Sequence, residues 1–518
     1  MVLSESNRID SSPRVSVARM WCLCVLIFTL LYALTCQHGV SWQDSGEYQW
    51  RVLHGDISGQ MGIVRAHPLY IGAGQIIKTI PVGTLSGRLN FFSGLGMAIA
   101  LANLAALLTL LTRRKWIGVF IAILLALTHT VWWLSTIAEV YTWSVAGLTA
   151  ELWLLVLLVR KPSWKPLIGL AFVSGLGLSL HNFALLPIPV YLVLAIVLIL
   201  KRRLGRWSLA AAAGAWMLGA GLYLELIVQE VLATGDIVLA MRSALFGRYA
   251  PQVLNAVNVS KNFKANMALS SLNFISVLGP LAIIGWFGIR RRLERTLAIA
   301  FGAITVIEVL FFVRYSVPDQ FTFILPTLIM LGISAGIGLS ILADLSRRVR
   351  ICTLVLCIAS VAALPVIYAA GPTVLRNAGV RINRGRKLPF RDEMRYWLTP
   401  WKHNEDSAER FSADALGLVA ADSVILTDST SVYPLLMMRD ESSDFQGVQI
   451  ADFDFSLPSY DDDPQEYRRV LADRSLYIVS LTGLSVQMRR DTEAIPCPLD
   501  SPVLYRLEWK PPAPSPGR

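Results

Sequence analysis

The sequence predicts a mainly α-helical bundle that crosses a membrane about eleven times and ends in a small α/β domain. Three observations predict it. Of 518 residues, 54% are hydrophobic and 16% charged, against roughly 25% charged in an average soluble domain. Apolar runs of about 18 to 22 residues, enough to span about 30 Å of hydrocarbon, recur from Met20 to about Ala370. Beyond Ala370 the pattern changes to short β-rich and helix-like stretches of ordinary polarity.

Lipid offers no partner to a bare amide or carbonyl, so each run is expected as a helix. The runs fall at about 20–38, 88–112, 116–134, 142–159, 165–180, 183–200, 207–226, 269–289, 296–313, 321–343 and 351–370. Every second linker is basic: Arg8/Arg14/Arg19, Arg113/Arg114/Lys115, Arg160/Lys161/Lys165, Lys201/Arg202/Arg203/Arg206, Arg290/Arg291/Arg292/Arg295 and Arg347/Arg348/Arg350. The short linkers between them, 135–141 and 181–182, contain no Lys or Arg. Basic loops stay in the cytoplasm, which places residues 1–19 inside and the tail outside. The first run also fits a signal peptide, but no clear A-x-A-like site follows it.

The net charge of +11 therefore argues for membrane orientation and against nucleic acid. Cys22, Cys24 and Cys36 lie in or beside the first run, Cys352 and Cys357 in the last, and Cys497 alone in the tail. No disulfide framework is expected. With the compact linkers, this points to a bacterial inner membrane.

Three regions result: a cytoplasmic segment 1–19, a membrane domain 20–370 with outer loops 39–87 and 227–268, and an extracytoplasmic tail 371–518. In the tail, strand-like Ser423–Thr427, Val448–Ile450 and Leu476–Ser480 alternate with helix-like Val432–Arg439 and Pro464–Asp473. The basic stretch Arg376–Arg395 suits anionic headgroups or a solvated linker equally.

Polar chemistry gathers on the outer side. The first outer loop opens with Ser41-Trp42-Gln43-Asp44-Ser45-Gly46-Glu47-Tyr48. Asp44 and Glu47 share one face of a helical turn, and a carboxylate near a low-dielectric boundary suits general-base work. The same spacing fits a helix cap, with Asp44 on free amides. His67-Pro68-Leu69-Tyr70 offers an imidazole for a phosphate or a proton, or simply a turn. Other outer linkers supply Glu139-Val140-Tyr141, His181-Asn182, Arg242, Arg248 with Tyr249, and Arg314 through Asp319. Each has a plain reading as an interfacial anchor or cap, and Arg314 as a snorkelling side chain. Together they suit an anionic, lipid-linked substrate, whose phosphate cations would hold while a carboxylate activates an acceptor.

Glu151, Glu225 and Glu308 fall inside apolar runs. Glu225 and Glu308 lie near outer ends, whereas Glu151 is near mid-membrane and best fits a transporter. There is no Walker loop, paired CxxC, HExxH or GxSxG. No dedicated metal site stands out, although Asp44, Glu47 and His67 are residue types that bind metals. Asn258-Val259-Ser260 fits an N-glycosylation triplet.

Asp44-Ser45-Gly46-Glu47, His67-Pro68-Leu69-Tyr70, Ala138-Glu139-Val140-Tyr141 and Gly175-Leu176-Gly177-Leu178-Ser179-Leu180-His181-Asn182 follow one another in an informative order. In that order the chain resembles the protein O-mannosyltransferase-like membrane family of the GT-C glycosyltransferases. The resemblance is best over residues 20–200, with a looser echo at Arg314–Pro326 and Arg391–Asp428. It departs where the family often has His-Pro-Pro-Gly-Tyr-Pro-Leu-Tyr, since here Pro68 is followed directly by Leu69-Tyr70.

The resemblance implies a GT-C-like bundle and inverting transfer of a sugar, typically mannose. The donor would be a polyprenyl-phosphate sugar and the acceptor a hydroxyl on protein or glycan, and metal dependence stays open. The family's acidic loop motif falls on Asp44 and Glu47, and on these residues Asp44 is expected as general base, with Glu47 orienting it or sharing that task. Arg314 would hold the leaving phosphate, with Arg248 and His67 as alternatives. Glu139, Tyr141, His181 and Asp319 would hold donor sugar or phosphate. The competing classes are a transporter or flippase of lipid-linked or anionic substrates, with its charges at mid-membrane, and a scaffold whose tail binds partners.

Overall fold

The computed structural model describes residues 12–59, 61–250, 263–315, 317–382, 387–452, 464–465, 474–498 and 502–510. Among them, seven helices are long and apolar enough to cross a membrane: Ser16–Thr35, Leu85–Thr112, Tyr141–Arg160, Asn182–Leu200, Arg295–Arg314, Gln320–Leu345 and Arg347–Asn377. Two bent pairs, Ser208–Gly219 with Gly221–Thr234 and Phe263–Phe274 with Leu278–Arg292, turn by 74° and 82°. Lys115–Ala126 and Trp164–Leu180 are shorter apolar helices. Every expected run thus falls on apolar helix, but not every run is one straight helix.

The run expected at 116–134 is broken. Its first helix ends at Ala126, Thr128 adopts an extended conformation, and a short helix His129–Leu134 follows. The run expected at 269–289 is broken near Asn273. The two breaks satisfy each other. The Thr130 N–H donates to Asn273 Oδ1 at 2.8 Å, and Asn273 Nδ2 donates to Thr130 Oγ1 at 2.9 Å. Irregular backbone at membrane depth is tolerated where protein buries it, and both side chains are buried. The run expected at 207–226 bends at Ala220, beside a close helix crossing. A β-carbon on Gly219 would overlap the Phe172 carbonyl, and one on Gly175 the Trp216 carbonyl. Small residues are what let two helix backbones approach that closely. The last helix runs to Asn377, past the expected end near 370.

The segment expected as an outer loop, 39–87, contains the helices Gln43–His54 and Pro68–Lys78, with the single turn Ile63–Arg65 between them. The tail holds a five-stranded sheet: β1 (Val424–Thr427), β2 (Gln449–Asp452), β3 (Leu476–Ile478), β4 (Thr492–Cys497) and β5 (Leu504–Trp509), in order β2-β1-β3-β5-β4. β2, β1 and β3 run parallel, while β5 and β4 add antiparallel. All four residues of β1 are buried, as a central parallel strand requires. The sequence reading missed β4, β5 and the Ser407–Gly417 helix. The helix-like stretch at Pro464–Asp473 lies largely outside the described residues, as do Asn258 to Ser260.

Within the described part of the stretch Arg376–Arg395, residues 376–381 are exposed and two arginines are paired. Arg376 pairs with Asp392 at 2.7 Å, and Arg391 is buried with Glu393 at 2.7 Å.

Candidate active site

The Gln43–His54 helix begins at Trp42, an extended residue that makes no side-chain cap. Asp44 therefore lies inside the first turn. Its carboxylate meets Arg65 at 3.1 Å rather than the free amides, so Asp44 is not a helix cap. Glu47, only 3% exposed, accepts from Arg65 at 2.5 Å and lies 3.5 Å from Arg51. Burial pushes the Glu47 carboxyl upward, while the Arg65 and Arg51 charges pull it back.

Arg51 was not singled out from the sequence. It is 1% exposed and donates to three carbonyls: Arg65 at 2.7 Å, Ala66 at 2.6 Å and Asp56 at 3.1 Å. It thereby holds the backbone that aims Arg65 at Asp44 and Glu47.

The tail presses on the other side of this helix. Trp42 Nε1 donates to Ser407 Oγ and Trp50 Nε1 to Asp440, each at 2.8 Å, and the Gln43 N–H reaches the Thr430 carbonyl at 3.2 Å. Gly46 allows the approach. A β-carbon there would overlap the Ser41 carbonyl and meet Tyr433 and Pro434 at 3.3 Å.

His67 starts the Pro68–Lys78 helix in a left-handed conformation, φ 48°. Its Nδ1–H donates to the Leu180 carbonyl at 2.6 Å. His181 Nδ1 accepts from the Phe183 N–H at 3.1 Å, which leaves the proton on Nε2. The two rings stack at 5.3 Å and 9°. Burial first, then neighbouring positive charge, lowers His67 well below its usual range and His181 to about 3. Both are therefore neutral near pH 7 and cannot act as cations.

The sign of this shift gives a prediction. An unfolded histidine takes up its proton near pH 6.5, whereas these resist it when folded. For His181 the folded protein loses no stability to this group above about pH 6.5 and loses up to about 1.4 kcal/mol per pH unit as pH falls from there towards 3, and His67 adds to the loss in the same direction. Thermal unfolding of detergent-solubilised protein should show this slope, and His181→Gln should flatten it. An identical slope in the variant contradicts the assignment.

Glu139 is held by Ser93, whose Oγ accepts from the Glu139 N–H at 2.7 Å. Its Oε1 accepts from Ser45 Oγ at 3.0 Å, while Oε2 is buried without a hydrogen-bond partner. Burial, with Asp44 and Asp319 nearby, raises its carboxyl well above the usual range.

Two cavities of about 240 Å³ each meet here. One is largely apolar and aromatic. Its wall includes Leu185, Leu186, Leu245, Phe246 and Phe311, with Tyr48, His67, Tyr141 and His181 at its polar end. The other is lined by Glu47, Glu139, Trp133, Tyr396 and Trp397, and by Tyr433 and Asp452 of the tail. Asp44, Arg65 and Asp319 line both.

Of the residues expected at the site, Asp44, Glu47, His67, Glu139, Tyr141, His181 and Asp319 line these cavities. Arg248 and Arg314 are exposed and line neither. Arg65 stands where the sequence reading placed those cations. The readable signal was the basic pair Arg51 and Arg65 in a loop that also holds Asp44 and Glu47, with Arg51 one helical turn after Glu47.

Residues 44–204 match the family model of the protein O-mannosyl-transferase TMEM260 N-terminal domain. The fold is similar to ArnT from Cupriavidus metallidurans bound to undecaprenyl phosphate, with TM-score 0.56 and 12% identity over 95% of this chain and 97% of that one. It is similar also to the apo state of that ArnT, with TM-score 0.53 and 12% identity over 96% and 98%. No curated protein matches the chain. The structural likeness shows a GT-C-like fold, and the family model matches under half of the chain, residues 44–204.

Proposed function

We propose that the protein is a GT-C-type membrane glycosyltransferase that moves mannose from a polyprenyl-phosphate donor to a Ser or Thr hydroxyl of a protein, with inversion, at the extracytoplasmic face. The observation that carries the reading is the sharing of Asp44, Arg65 and Asp319 by an apolar cavity and a polar one. A transferase needs its base and charge-stabilising group between donor and acceptor.

In this reading the apolar cavity takes the lipid end of the donor, and the acceptor enters beside the tail. Asp44 removes the hydroxyl proton as the oxygen attacks the anomeric carbon. The bond from that carbon to the phosphate oxygen breaks on the opposite face, and polyprenyl phosphate departs with the electron pair. Arg65 takes the role first assigned to Arg314. As Asp44 gains the proton it loses its charge, which leaves the Arg65 guanidinium facing a phosphate that is gaining one. His181 offers its Nε2–H to sugar or phosphate, and Glu47 and Arg51 hold Arg65 in place.

The transporter reading gains little support. Glu151 and Glu308 share a void of about 10 Å³, room for about one water, and Glu151 accepts from Tyr191 Oη at 2.9 Å. The test is a panel of polyprenyl-phosphate sugars offered to the reconstituted protein with a Ser/Thr peptide. Release of polyprenyl phosphate matched by an inverted, mannosylated peptide is expected. An unconsumed donor that crosses the bilayer would transfer the case to the transporter.

A further inference from the structure

Two imidazoles share the polar end of the apolar cavity, and their outward nitrogens are of opposite kind. His67 gives its Nδ1–H to the Leu180 carbonyl at 2.6 Å, so in the neutral ring Nε2 carries a lone pair and can only accept. His181 Nδ1 accepts from the Phe183 N–H at 3.1 Å, so its Nε2 carries the proton and can only donate. In each ring the backbone fixes the tautomer through one nitrogen and leaves the other for a ligand.

Neither Nε2 makes a hydrogen bond among the described residues, and neither is sealed in the protein interior. His67 is only 4% exposed, so the surface its Nε2 shows faces the cavity that the ring lines. The rings are also clamped. They stack on each other at 5.3 Å, Tyr48 packs on His67 at 5.6 Å, and Tyr141 packs on His181 at 5.2 Å. Acceptor and donor therefore stand side by side before any ligand arrives.

An ionised phosphate oxygen has no proton to give and would meet a lone pair at His67. A sugar hydroxyl both donates and accepts, and two hydroxyls on adjacent carbons suit the pair. The position fits as well. Arg65 lines the same cavity, and after burial its charge helps to keep both imidazoles neutral. A sugar is joined to the donor phosphate through one oxygen, so a phosphate at Arg65 brings the sugar ring to this end.

We propose that His67 and His181 read two neighbouring hydroxyls of the transferred sugar, His67 Nε2 accepting from one and His181 Nε2–H donating to the other, and that neither holds the phosphate. The inference rests on the polyprenyl-phosphate donor of the reading above. A sugar without either hydroxyl leaves a nitrogen unpaired in a closed site, and is rejected for that reason.

The test uses the full-length protein in liposomes, a Ser/Thr peptide, polyprenyl-phosphate mannose, and analogues that each lack one sugar hydroxyl. Two analogues, altered on adjacent carbons, should each lose at least about tenfold in kcat/KM. His67→Phe and His181→Phe keep a stacked ring without its nitrogens. Each should shrink one of the two losses to below about threefold, while inhibition by polyprenyl phosphate without a sugar stays within about twofold of wild type. Phenylalanine also gives up the Nδ1 contact, so the ratio between donors is the readout and the absolute rate is not. Equal use of every analogue by the wild type overturns the proposal without help from any variant. Unchanged ratios in both variants overturn it too, and a tenfold loss of polyprenyl phosphate affinity returns the pair to the phosphate. If the wild type leaves polyprenyl-phosphate mannose unconsumed, the reading above falls and this inference with it, a result distinct from even use of the analogues.

Discussion

Asp44→Asn should lower the transfer rate by about 10²- to 10⁴-fold, the range a general base contributes. Asparagine keeps the size and hydrogen-bonding shape of the side chain but cannot take the acceptor proton. The change also removes one of the two carboxylates that Arg65 bridges and leaves its pairing with Glu47 in place. The loss should therefore lie mainly in kcat, because the apolar wall at Leu245, Phe246 and Phe311 is untouched. Single-turnover kinetics with the reconstituted protein would separate the two. A variant that keeps a tenth or more of the wild-type rate removes Asp44 as the base.

Arg51→Met should destabilise the protein by about 3–5 kcal/mol, the usual cost of breaking a buried ion pair from one side. Arg51 satisfies three carbonyls and lies beside Glu47, and methionine satisfies none of them. Activity should fall as well, because the carbonyls of Arg65 and Ala66 lose the donor that holds them. Arg51→Lys keeps the charge but not the planar fork, so it should recover only part of either loss. Chemical denaturation in detergent measures the first effect and donor turnover the second. A loss below about 1 kcal/mol would mean that Arg51 is an ordinary surface-strength pair.

The tail cannot be tested by deleting it. Trp42, Gln43 and Trp50, on or next to the helix that carries Asp44, are hydrogen-bonded to Ser407, Thr430 and Asp440. A truncated chain would lose the packing of the catalytic helix along with any acceptor contacts. Point changes at Asp452 and Tyr433 are the cleaner probe.

Much of the fold was legible because lipid imposes a simple rule, and apolar run length reports it directly. The breaks were not, because Thr130 with Asn273 and Gly175 with Gly219 are long-range pairs whose effect appears only when two helices meet. The acidic helix was legible from Asp44 and Glu47, though spacing alone left a cap open. What excluded the cap was Arg65, brought back by a loop that turns through left-handed glycines at Gly55, Gly59 and Gly62. The positive-inside rule had treated arginines mainly as topology signals, so two in the outer loop went unused. In the tail, β5 alternates in a readable way, whereas β4 carries Glu493 and Pro496 and reads poorly as a strand.

The central claim is that the two cavities are the donor and acceptor sides of one reaction, joined at Asp44 and Arg65. The most direct measurement is a structure of the reconstituted protein with polyprenyl phosphate bound. The account predicts the phosphate within hydrogen-bonding reach of Arg65 and the isoprenoid chain against Leu245, Phe246 and Phe311. A phosphate lodged among Trp133, Tyr396 and Asp452, or beside Glu151 and Glu308, would contradict it.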